Sequence, residues 1–160
     1  MALLKGFALT RVTISRSGRI GGACEYSFCV PRAASTSARR RIARAGAAVA
    51  LAGSVAQDQA ALERGWIAVD AATGAPIRPF APGAEDDVRV AMRFASRIYR
   101  GADARRAFLR RMRATSERLL ARPEARAAVR GVARSLLRAK TLSGERVVAC
   151  VRRSVARARS

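Results

Sequence analysis

The chain has no histidine, only 11 acidic residues and few aromatics: one Trp, two Tyr and five Phe in 160 residues. Each shortage excludes something. Cysteine is limited to Cys24, Cys29 and Cys150. With no second cysteine pair and no histidine, nothing completes a zinc site around Cys24 and Cys29. An odd cysteine count does not make a disulfide framework, and free thiols in a reducing compartment are the expectation. Packed or idle thiols suit Cys24 and Cys29 better than reactive ones. Lysine is confined to Lys5 and Lys140. No apolar run is long enough to span a bilayer: IARAGAAVALAGSVA, Ile42 to Ala56, contains Arg44 and is too short. No Gly-x-x-x-x-Gly-Lys-Ser/Thr loop exists, so the chain carries no phosphate cradle for an ATPase. The first residues are acid-free, as in a transit peptide, but LTRVTI alternates like a strand rather than an amphipathic helix.

What is abundant is arginine and alanine. The formal net charge is +21, and half the residues are apolar, many of them alanine. Helices that pack closely through small side chains follow from that. The charge has two readings. One is attraction to nucleic acid or another anionic surface. The other is the composition of a GC-rich genome, which the spread of arginines along the whole chain favours.

Leu9 to Ser15, LTRVTIS, alternates apolar and polar residues and predicts a strand. SGRIGG is turn chemistry, and ACEYSFCV, Ala23 to Val30, predicts a second, hairpin-paired strand. Ser35 or Ser37 caps a helix from about Ala38 to Leu62, apolar enough to be buried. Gly65 to Pro82 holds three prolines and reads as a long loop. Gly83 to Arg100 starts with Glu85, Asp86 and Asp87 and continues with Val88, Met92, Ala95 and Ile98 or Tyr99 at helical spacing. A helix from Ala104 to about Ala121 follows, with Phe108, Met112 and Leu119 on one face. Its arginine-rich side (Arg105, Arg106, Arg110, Arg111, Arg113) reads as a solvated surface. Pro123 opens the next helix in the first-turn position, with Val129, Val132, Leu136 and Leu137 inward. Thr141 to Gly144 reads as a turn before a last helix with Val147, Val148, Val151 and Val155 inward. The class is mainly α, a helical bundle with a small N-terminal β-hairpin, in one domain spanning residues 1–160.

The acidic triplet has a plain explanation: carboxylates in a first helical turn complement the positive end of the helix dipole. A more specific one comes from the order of motifs. RVTI at Arg11–Ile14, LAGSVAQ at Leu51–Gln57 and GAEDDV at Gly83–Val88 come first. SERLLARPEARAAVRGVARSLLRAKTLSGERV, Ser116 to Val147, completes the set. Together they resemble the peptidase domain of FtsH-type ATP-dependent zinc metalloproteases, above all its small stand-alone relatives in bacteria and phages. The resemblance covers nearly the whole chain. It implies a helical peptidase-domain bundle, protein or peptide substrates, zinc as cofactor, and a bacterial or phage-derived cytoplasmic protein without a membrane span. In that family the aspartate of a G-A-x-x-D motif is the third zinc ligand beside the histidines of H-E-x-x-H. On this match that residue is Asp87.

The chain departs from the family where the chemistry resides. It has no H-E-x-x-H, and Gln57 stands where the family usually has glutamate. The resemblance therefore implies an Asp87 orphaned as a ligand, no zinc held, and an inactive proteolysis-related domain with no catalytic residue of its own. MALLKG, Met1 to Gly6, matches the end of the catalytic helix, so the expectation is a domain truncated within that helix. An inactive interaction module that keeps the fold is a close variant.

A second class competes. Arg126 to Arg153 has the outline of a helix-turn-helix whose second helix, Glu145–Arg153, would enter a major groove. Glu145 at that helix's start would meet phosphates unfavourably. Non-specific nucleic acid is thus a second partner class. The sequence leaves substrate, oligomeric state and any ATPase partner open.

Overall fold

The computed structural model describes residues 8–14, 23–27, 35–64 and 84–159. The expected end of a catalytic helix at Met1–Gly6, the SGRIGG turn, Cys29 and the Gly65–Pro82 loop lie outside them. Two strands, β1 (Ala8–Thr13) and β2 (Ala23–Ser27), precede the helices α1 (Thr36–Glu63), α2 (Ala84–Ser96), α3 (Ala102–Leu120) and α4 (Pro123–Ala139). A short strand β3 (Thr141–Ser143) and helix α5 (Gly144–Arg159) complete the chain. The protein is mainly helical, with a small antiparallel hairpin near its N-terminus.

The hairpin pairs Leu9 with Tyr26 and Val12 with Cys24, with a register shift between Leu9 and Arg11. The turn expected at Thr141–Gly144 is instead β3. It pairs antiparallel with the other edge of β1, Val12 opposite Leu142, giving the order β2-β1-β3. The cause is the end of α4. Lys140 takes a positive φ of 60°, which reverses the chain just after the helix. Its carbonyl then accepts the Ile14 N–H at 2.8 Å and leads Thr141 alongside Thr13.

Ser35 caps α1, its hydroxyl accepting the Ala38 N–H at 3.2 Å. From Ala43 to Val55 this helix is buried largely through alanine, and it packs against α2 and α3. Ala43, Ala47, Leu51, Ala91, Phe94, Ala95 and Phe108 form the main core. Small side chains on α1 let the helices approach closely, and the two phenylalanines fill the remaining space. Buried Ser116 on α3 is satisfied by donating to the Ala48 carbonyl of α1 at 2.9 Å. A second cluster, Leu136, Leu142 and Val147, joins α4, α5 and the sheet, with Leu9, Val12 and Val151 against it.

Three sequence expectations shift here. Val88 is 37% exposed, and α2 instead turns Ala91, Phe94 and Ala95 inward. Val129 and Leu137, expected inward, are 44% and 64% exposed, while Leu136 faces the sheet. Arg113 leaves the solvated face and pairs with Asp58 of α1 at 2.6 Å and with Glu117 at 2.9 Å. Among the described residues no helix is long and apolar enough to cross a membrane.

Candidate functional site

Once Ala91 and Phe94 point at α1, helical spacing fixes where the acidic triplet goes. Asp87 lies one turn before Ala91 and shares its face, whereas Glu85 and Asp86 are turned to solvent. Asp86 pairs with Arg89 on the same exposed side. Asp87 alone reaches α1. Its Oδ2 accepts the Ser54 backbone N–H at 3.1 Å, in the middle of the LAGSVAQ stretch.

Gly53 makes room for this. A Cβ built there would lie 2.8 Å from Asp87 Oδ2, so a side chain would push the carboxylate away. The glycine in an otherwise alanine-rich buried helix is thus tied to the carboxylate facing it. The pairing crosses 33 positions of sequence, and the family motifs were the only signal that could have joined the two.

Burial pushes the Asp87 carboxyl above its ordinary range. The Ser54 amide pulls it back, and the neighbouring Asp86 charge adds to the rise. No guanidinium among the described residues pairs with Asp87, although the sequence has 32 basic residues. A raised carboxyl makes this group's contribution to stability decline as pH rises through the folded value. The loss vanishes below the unfolded value of about 3.9. Asp87→Asn, whose amide oxygen can still accept from Ser54, is therefore expected to be more stable than the parent at neutral pH. The difference should close near about pH 3, where both side chains are neutral. Urea midpoints of the two proteins across pH check this. A parent that is the more stable at neutral pH would contradict it.

Zinc of the kind the resemblance implies takes three protein ligands and an open position. Asp87 offers one carboxylate, Asp86 is turned away, and among the described residues no three His, Cys, Asp or Glu side chains gather. With no histidine in the sequence, the described residues do not fit the two-histidine, one-carboxylate zinc site that the resemblance implies.

The helix-turn-helix outline falls on α4, β3 and α5. Here the connection is a sheet strand, and buried Gly144 at the start of α5 lies against the Leu9 carbonyl of β1. That helix end is occupied by the sheet, a placement that gives groove entry no support. Cys150 is buried and free, 3.3 Å from Ser135 Oγ, as an idle packed thiol would be. No family model, curated protein or solved structure matches the chain.

Proposed function

We propose that this chain is a relative of the FtsH-type peptidase domain, with Asp87 in the position of the family's aspartate ligand. Lacking histidine, it does not itself cleave protein. The observation that carries this reading is the carboxylate itself. It is half-buried, held by a backbone N–H of α1 and, among the described residues, left without a cation in an arginine-rich chain. A carboxylate needed only to cap α2 would gain by staying in water, as Glu85 does. One kept partly desolvated on an apolar face suits a ligand position, where a metal would offset the cost of burial. The order of a β-strand, a buried helix bearing LAGS, and an acidic helix start supports the same reading.

The experiment begins with the DNA upstream of the Met1 codon. An open frame there that encodes H-E-x-x-H within roughly ten residues would be close enough for one helix at about 1.5 Å per residue. Expressed with that segment, the protein should cleave an unfolded protein substrate, stop when a chelator is added, and lose activity in Asp87→Ala. The 160-residue chain should show none of this activity. Chelator-sensitive cleavage by the 160-residue chain itself, or an extended form indifferent to Asp87→Ala, would overturn the proposal.

A further inference from the structure

The arginines of α4 are arranged differently from those of α3. On α3, Arg106 pairs with Asp103, Arg113 with Asp58 and Glu117, and Arg105 donates to the carbonyls of Arg100 and Gly101. Arg105 and Arg113 are thereby held against the fold, while Arg106, Arg110, Arg111 and Arg118 stay exposed. Arg122, Arg126, Arg130, Arg134 and Arg138 repeat every fourth residue from the start of α4 to its end, and all five are exposed. Among the described residues only Arg126 of these meets an acid, Glu63 at 3.7 Å, and Arg134 Nε donates to the Arg130 carbonyl at 3.4 Å. Glu124 and Glu145 are the only acidic residues from Arg122 to the end of the sequence.

Successive members of the row are about 6 Å apart along the axis, and the row spans about 24 Å. It drifts by only about 40° per step, so the cations fan across the outward half of the helix. The inward half is committed: Leu136 and Val132 pack on the sheet and α5, and Gly131 lies against Ser154. We propose that this outward face of α4 binds the phosphate backbone of a nucleic-acid duplex, without reading its sequence. Charge complementarity selects the partner. A rod of evenly spaced, mostly unpaired guanidiniums about 24 Å long matches about seven phosphates of one strand at 3.4 Å axial rise.

The neighbouring residues narrow the choice. No aromatic residue occurs after Phe108, so α4 itself offers no stacking platform of the kind that single strands use. The chain has no asparagine, and its glutamines, Gln57 and Gln59, lie on α1, so base edges have no amide reader on α4. An interfacial membrane helix would turn its whole apolar face outward, whereas here only Val129 and Leu137 remain exposed. The assignment does not rest on the peptidase reading.

Random-sequence duplex DNA titrated at several salt concentrations tests it. Each phosphate neutralised adds about 0.9 to the slope of log K against log salt. The combined variant Arg130→Gln, Arg134→Gln and Arg138→Gln is expected to lose about 2 to 3 units of that slope, and roughly tenfold or more in affinity at low salt. Lysine at the same three positions should largely retain both, which separates charge from any disturbance of the helix. An equal charge removal elsewhere, Arg100→Gln, Arg110→Gln and Arg111→Gln, should cost far less. Equal losses from the two glutamine sets would reduce the binding to net charge and overturn the proposal. So would tighter binding of an equal-length single strand. Loss of phosphatidylserine-vesicle binding in the α4 variant, with duplex binding intact, would also overturn it.

Discussion

Gly144→Ala is expected to destabilise the protein by about 3 kcal/mol, within the usual range for overpacking a closed site. Gly144 opens α5 and is buried. A Cβ at this position would lie 1.8 Å from the Leu9 carbonyl oxygen and 2.8 Å from its carbon. Both are backbone atoms of β1, which is hydrogen-bonded on one side to β2 and on the other to β3. A flexible side-chain tip could turn aside, but a central strand cannot. Relief requires α5 to lift from the sheet, and with it the seat of Val147 against Leu142 and Leu136. The sign is informative. The backbone at Gly144 is not left-handed, so without the contact alanine would be neutral or slightly stabilising through the unfolded chain. Denaturant midpoints of parent and variant decide between these. An unchanged or raised midpoint would mean that α5 does not dock on β1 in this way.

Phe108→Ala is expected to cost about 4 kcal/mol, in the range seen when a buried phenylalanine is truncated. Phe108 is 1% exposed, between α1, α2 and α3, with the Tyr99 ring 5.5 Å away between centroids. The cost should not fall to the bottom of that range because of the neighbours. Ala43, Ala47, Ala91 and Ala95 have no side-chain freedom with which to fill a hole. Leu51, Phe94 and the partly buried Tyr99 and Met112 can move into it only in part, so most of the cavity should remain. Phe108→Leu should recover much of the loss. Thermal melts should show Phe108→Ala lower by about 10 °C, using about 2–4 °C per kcal/mol for a chain of this size. A shift of a degree or two would mean that the three helices do not share one close-packed core.

The order of helices and the hairpin were legible in the sequence because their signals are local. Alternation in LTRVTI, Ser35 before the alanine-rich run, Gly101 and Pro123 all act within a few residues. What was missed depends on partners far along the chain. TLS is too short to show a period, and it becomes a strand only because Lys140 turns the chain onto β1, more than a hundred residues earlier. The inward face of α2 was misread by one position. Val88 carries the more apolar side chain, but Ala91, Phe94 and Ala95 set the contact line, and Asp87 falls on it. That same displacement brings the carboxylate to α1. Composition alone would have kept Asp87 with Glu85 and Asp86 in solvent. Gly53 was visible as part of LAGS, but its close approach to Asp87 emerges only when α1 and α2 pack.

In the proposed reading Asp87 is a carboxylate placed for a metal that the 160-residue chain alone does not hold. Zinc stoichiometry by equilibrium dialysis tests that most directly, on four proteins. These are the 160-residue chain, its Asp87→Asn variant, and both again with the H-E-x-x-H histidine pair restored on a segment joined ahead of Met1. Two histidines one helical turn apart and Asp87 would have to reach one ion at about 2 Å each. The account predicts no stoichiometric zinc on the two shorter proteins, one zinc per chain on the restored protein, and its loss in the restored Asp87→Asn variant. One tightly bound zinc on the 160-residue chain, or one on the restored protein that survives Asp87→Asn, would contradict it.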